Sequence, residues 1–136
     1  MSSGEQRQVT VEAADIICEP DGMIVIRVKN VDMTAERMNE ILDARRRAFG
    51  AHEVPLLIDT RKVRSMTREA QEITARPDSK EFTECMALLA DSAVSVVLVN
   101  FFMVFVRPPY PTRMFRSEEA ARAWLHDTYV KRRGLR

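Results

Sequence analysis

Apolar positions along the chain change period several times, and each change marks an element. Val9 and Val11 alternate with polar neighbours and open an extended segment. "DIICEPDGMIVIRVKN" divides into two apolar strands at Pro20-Asp21-Gly22, where Pro presets one turn angle and Gly accepts positive φ, so a hairpin is predicted. Helical spacing follows in Met38, Ile41, Leu42 and Phe49, with Thr34 as the N-cap and Gly50 closing the helix. "VPLLID" is a continuous apolar run of strand length, as expected for a strand covered within a sheet. Ala70 and Ile73 mark a short helix that Pro77 ends. Asp78 with Glu81 three residues on resembles a capping box, predicting a helix that presents Phe82, Cys85, Met86 and Leu89.

The densest apolar stretch is "SVVLVNFFMVFVRPPYPTRMF". Val94 to Val99 is rich in β-branched residues and is predicted as a strand; Asn100 then starts a short helix over 101–106, stopped by Pro108 and Pro109. That helix, FFMVFV, is apolar on every side, so its own domain or a partner must enclose it. It is too short to span a bilayer, which takes about 20 apolar residues. "PTRMF" is a further extended segment. Ser117 caps a last helix with Glu118 and Glu119 in its first turn, Ala121, Trp124, Leu125 and Thr128 on its inner face, and Lys131, Arg132 and Arg133 at its C-terminal end. The predicted order is ββαβααβαβα, without repeats or long linkers.

Composition narrows the class. A chain of 136 residues holds one domain and one core, and 46% apolar with 30% charged residues is ordinary for a globular protein. Residues 1–8 read as a flexible N-terminus and 9–136 as a single domain. The net charge of +1 gives no overall field for nucleic acid or an anionic membrane. Cys18 and Cys85 lie apart, each in an apolar run, and read as small buried hydrophobes. With a polar N-terminus that lacks the apolar centre of a signal peptide, a cytoplasmic location is expected.

Chemistry-bearing residues are sparse. His52, in the loop entering a strand, and His126, at the edge of the last helix, are the two histidines and read as solvated or core-edge residues rather than catalytic bases; with two scattered cysteines they make no zinc set. The glycines fall at a terminus, a turn and two helix ends, so nothing cradles phosphate. Arg45-Arg46-Arg47 and Lys131-Arg132-Arg133 read as solvated helix ends. No metal, cofactor or catalytic residue is expected. Asp59 ends "LLID" at the carboxyl end of a strand, where α/β sheets commonly place sites. Its structural reading is a turn acceptor with Thr67 capping the next helix; its functional reading gathers Asp59, Ser65, Thr67 and Glu69 into a polar candidate site for interaction or regulation.

"LLIDTRKVRSMTREAQEI", "ALLADSAVSVVLVNFF" and "PPYPTRMFRSEEAARAWL", in this order and spacing, resemble the small bacterial STAS/SEC14-like (SpoIIAA-like) proteins of undetermined function. The resemblance covers nearly the whole chain. It implies an α/β fold with a mixed sheet of four to five strands and helices packed against it, and no established reaction. Relatives of this fold that antagonise anti-sigma factors switch through a serine phosphorylated in a D-S-S-G pattern. Thr67-Arg68-Glu69-Ala70 occupies the matching place, without that serine; Glu69 reads first as an ordinary first-turn residue that suits the helix dipole, and alternatively as a fixed negative charge near the serine's position. The expectation is a non-enzymatic regulatory or protein-interaction module, a homodimer with a possible regulatory protein partner. The alternative is a carrier or sensor of a small apolar ligand. Phe101, Phe102, Met103, Phe105 and Tyr110 are the candidate interface or ligand residues in either case.

Overall fold

The computed structural model describes residues 5–50, 52–77 and 81–134. Among them run β1 (Arg7–Thr10), β2 (Ala14–Cys18), β3 (Ile24–Val28), β4 (Asp32–Met33), α1 (Ala35–Phe49), β5 (Val54–Asp59), β6 (Ser65–Met66), α2 (Arg68–Thr74), β7 (Thr83–Leu89), α3 (Ala93–Phe105), β8 (Thr112–Phe115) and α4 (Glu118–Arg133). The main sheet has six strands in the order β1-β2-β3-β5-β7-β8. β1, β2 and β3 pair antiparallel, whereas β3, β5, β7 and β8 run parallel. Short β4 and β6 form a separate parallel ladder.

Parallel neighbours need a crossover, and α1, α2 and α3 supply the three successive ones. All three contribute to the core on one face of the sheet, with Ile26, Leu56, Met86 and Leu88 beneath them. α4 covers the other face, where Ala121 and Leu125 pack on Val25, Leu57, Cys85, Ala87 and Leu89. The strict alternation of Leu56 with Leu57, and of Met86 with Ala87, is the two-residue pleat dividing one chain between two cores.

The hairpin at Gly22, which has φ +97°, the caps at Thr34, Thr67 and Ser117, and the end of α1 at Gly50 are as predicted. The mixed α/β class also holds, with one more strand in the main sheet than the four to five expected. β1 begins at Arg7, so residues 7 and 8 belong to the sheet and not to a flexible arm.

Two assignments are corrected. Residues 83–89 are strand, not helix, because this central strand is buried on both faces along its whole length and its apolar residues need no single-sided period. Asp78, the proposed cap, lies outside the described residues. Residues 94–99 belong to helix α3 and not to a strand. Ser92 accepts a hydrogen bond from the Ser95 amide at 3.0 Å, and the Ser95 hydroxyl accepts one from the Ser92 amide at 3.0 Å, a reciprocal cap that nucleates the helix ahead of its β-branched run. Packing and capping outweigh a few tenths of a kcal/mol per residue of intrinsic propensity.

Candidate functional site

Asp59 sits at the end of β5, almost buried. One carboxylate oxygen accepts from the Arg61 amide at 3.1 Å and Arg61 Nε at 2.9 Å, the other from Arg61 Nη2 at 2.8 Å and Arg27 Nη1 at 3.1 Å. Arg27 forks onto both oxygens of Glu118 at 3.0 and 2.9 Å, Arg122 Nε donates to Glu118 at 2.9 Å, and Arg122 forks onto Glu19 at 2.8 and 2.7 Å. The network joins β5, β3, α4 and the hairpin. Burial pushes the Asp59 carboxyl up, but hydrogen bonds and charge from Arg61 and Arg27 outweigh it and leave the group below its ordinary range. Glu118 is drawn down to about 2, chiefly by the Arg27 hydrogen bonds.

The remaining polar candidates fall elsewhere. The Ser65 hydroxyl, exposed on β6, donates to Asp32 at 2.8 Å. Thr67 caps α2, its hydroxyl accepting from the Ala70 amide at 3.1 Å, and Glu69 is exposed in the first turn. No hydrogen bond or ion pair among the described residues joins Asp59 to Ser65, Thr67 or Glu69. Asp59 and its arginines tie the sheet to α4, and Thr67 performs the capping role.

The apolar candidates divide by direction. On α3, Ser95 and Val99 are buried, Val96, Leu98, Phe102 and Met103 pack half-buried against the core, and Val94, Val97, Phe101, Val104 and Phe105 face outward. Exposure reaches 65% at Val97, 60% at Val104 and 69% at Phe105, so the chain's own core does not enclose this side. Positions 94, 97, 101 and 104 follow the alternating three- and four-residue spacing of a seam between packed helices. The Phe101 and Phe105 rings stack at 4.4 Å.

Behind α3 lies a cavity of about 140 Å³. Ile26, Leu56 and Met86 of the sheet form its floor, Ile41 of α1 and Val99 and Phe102 of α3 its walls, and Tyr110 and Arg45 also reach it. Phe101 lines the cavity while remaining 38% exposed, which puts that ring between cavity and solvent.

Arg45 is the residue the sequence reading missed. It is only 7% exposed, not a solvated helix end. Nη1 donates to Thr83 Oγ1 at 3.3 Å and Nη2 donates to the carbonyl of Phe82, a residue held at a φ of 64°. Its place was legible in part: 45 continues the spacing of Met38, Ile41 and Leu42 toward Phe49. Arg132 likewise is not free, since its Nε donates to the buried Glu84 at 2.7 Å. Cys85 is packed under α4, and burial pushes its thiol up to about 11, a hydrophobe's role as expected.

Residues 16–129 match the family described as "Domain of unknown function (DUF7793)". The chain belongs to that family. No curated protein matches it. Among solved structures it is similar to an uncharacterized protein of the DUF3478 family from Shewanella loihica PV-4, which has a SpoIIAA-like fold. The TM-score is 0.56 and the identity 13%, over 89% of this chain and 92% of that one. A protein of unknown function from Arthrobacter sp. FB24 is 28% identical over 88% of this chain and 98% of its own, with a TM-score of 0.31. The fold of this DUF7793 chain is SpoIIAA-like, as the resemblance implied. No helix among the described residues is long and apolar enough to cross a membrane.

Proposed function

We propose that this protein is a non-enzymatic interaction module that works in the cytoplasm and associates with a second copy of itself through the outer face of α3. The carrying observation is the continuous stripe Val94, Val97, Phe101, Val104 and Phe105, apolar and uncovered by the chain's own core. Large exposed apolar patches on soluble domains mark contact surfaces, and the seam-like spacing suits an opposing helix. Covering apolar area contributes about 25 cal/mol per Å², so burying the exposed parts of two opposed stripes favours association. The two free, buried cysteines suit a reducing compartment. A regulatory protein would meet the same stripe in competition with the second copy. Sedimentation velocity across a wide concentration range tests the reading: the weight-average mass should climb from one chain toward two. A single-chain mass at every concentration would remove the proposal.

A second reading is favoured by the cavity. A space of about 140 Å³ with almost wholly apolar walls suits a small apolar body, because apolar cavities of that size stay dry and admit ring-sized guests. In this reading the module holds or senses a small ligand behind α3, beside its association surface. Protein-detected NMR titration with a small aromatic compound should move the methyl signals of Ile41 and Met86; an unchanged spectrum would end the idea.

A further inference from the structure

We propose that the cavity behind α3 takes a small monoanionic ligand, a carboxylate on a ring-sized apolar body, with the anion on Arg45 and Tyr110; the proposal rests on the ligand-holding reading. The more exposed arginines of the ion network are matched: Arg27 and Arg61 by Asp59 and Glu118, Arg122 by Glu19 and Glu118, Arg132 by Glu84. Arg45 is the one buried basic side chain among the described residues, and no carboxylate among them pairs with it. Its partners, the Thr83 hydroxyl and the Phe82 carbonyl, satisfy hydrogen bonding and leave the charge unmatched. A buried guanidinium stays protonated, so burying it without a counter-charge is costly, and an anion brought in on an apolar body offsets part of that cost. These two partners also take only part of a five-donor fork.

Arg45 reaches the same cavity as Tyr110. Burial raises the Tyr110 phenol, which stays protonated and able to donate. A cation and a neutral donor thus meet at a cavity whose other walls are chiefly aliphatic and aromatic, with Thr60, Gln71 and Thr74 the remaining polar residues, an arrangement that suits a charged head joined to an apolar body.

The intact chain is titrated with phenylacetate and, separately, with its uncharged counterpart phenylacetamide, by calorimetry and methyl NMR. Phenylacetate is expected to bind about tenfold or more tightly than the amide, the effect of a charge-assisted hydrogen bond. Arg45→Met should abolish the preference while leaving amide binding in place, and Tyr110→Phe should reduce it. The comparison of the two probes on the unaltered protein stands even if Arg45→Met fails to fold. Equal affinity for the two probes would overturn the anion assignment and leave an apolar pocket. Absence of binding by either would overturn the ligand-holding reading with it. If Arg45→Met folded less stably yet kept the preference for the anion, Arg45 would be a structural clamp on Phe82 and not the anion's seat.

Discussion

At the scale of single residues, the charges of this protein are chiefly structural, and their chemistry predicts its response to acid. Glu118 has an ordinary pKa of 4.5 and is held near 2 by Arg27 and Arg122. A carboxyl depressed on folding stabilises the fold above its unfolded pKa and loses that contribution as pH falls through the folded value. Asp59 acts in the same direction. Stability should therefore hold above about pH 4.5 and decline between 4.5 and 2. The denaturant midpoint of Glu118→Gln, followed against pH, should fall less steeply across that window. A slope equal to that of the unaltered protein would show that the fork between Arg27 and Glu118 adds nothing to folding. Thr67→Ala should cost about 1 kcal/mol of unfolding free energy through the lost cap of α2, whereas Ser65→Ala, on an exposed hydroxyl, should change it by less than about 0.5 kcal/mol. Reversing that order in urea unfolding would mean that Ser65 carries more than its bond to Asp32.

At the scale of elements, α3 decides how this molecule meets others. Its two sides differ little in hydrophobicity and differ entirely in burial, so substitutions must be chosen by direction. Phe102 packs against the core and lines the cavity, while Val97 points outward. Val97→Asp should leave the thermal midpoint close to that of the unaltered chain and keep the protein monomeric. Phe102→Asp should destabilise the fold by several kcal/mol through the loss of an aromatic side chain packed on the core. The pair is read by circular dichroism melts and light scattering, and a folded but still dimeric Val97→Asp protein would move the association surface elsewhere. Near α3 the sequence misleads for a physical reason. β7 carries apolar residues at helical spacing by coincidence, because both its faces are buried, and α3 carries β-branched residues that elsewhere favour strands.

At the scale of the whole molecule, a central sheet with a core on each face should unfold from its covering helices inward. β7 is buried along its whole length and β5 is paired on both sides, between β3 and β7, whereas α3 places only Ser95 and Val99 fully inside. Amide hydrogen exchange should therefore be slowest in β5 and β7 and measurably faster along α3, and α3 should gain protection as protein concentration rises. If α3 exchanged as slowly as β7 in dilute solution, its outer face would not be the open surface described here. The ionic chain from Asp59 to Glu19 couples α4 to the sheet, so α4 should exchange more slowly than α3.

Much of the fold was legible in the chain alone, because local chemistry sets it: the turn at Pro20-Asp21-Gly22, the caps at Thr34, Thr67 and Ser117, the apolar run of β5 and the inner face of α4 all follow from side chains acting on their own backbone neighbourhood. The order and spacing of three segments carried the SpoIIAA-like class as well. Burial on two faces and opposition across the sheet are not local properties. They made residues 83–89 a strand, turned one side of α3 outward, and drew Arg45 out of a run of three arginines into the interior. They also committed Asp59 to an ion network while Thr67 capped a separate helix. Which apolar residues face solvent and which cation lacks a counter-charge depend on what lies opposite, and only the folded chain sets that.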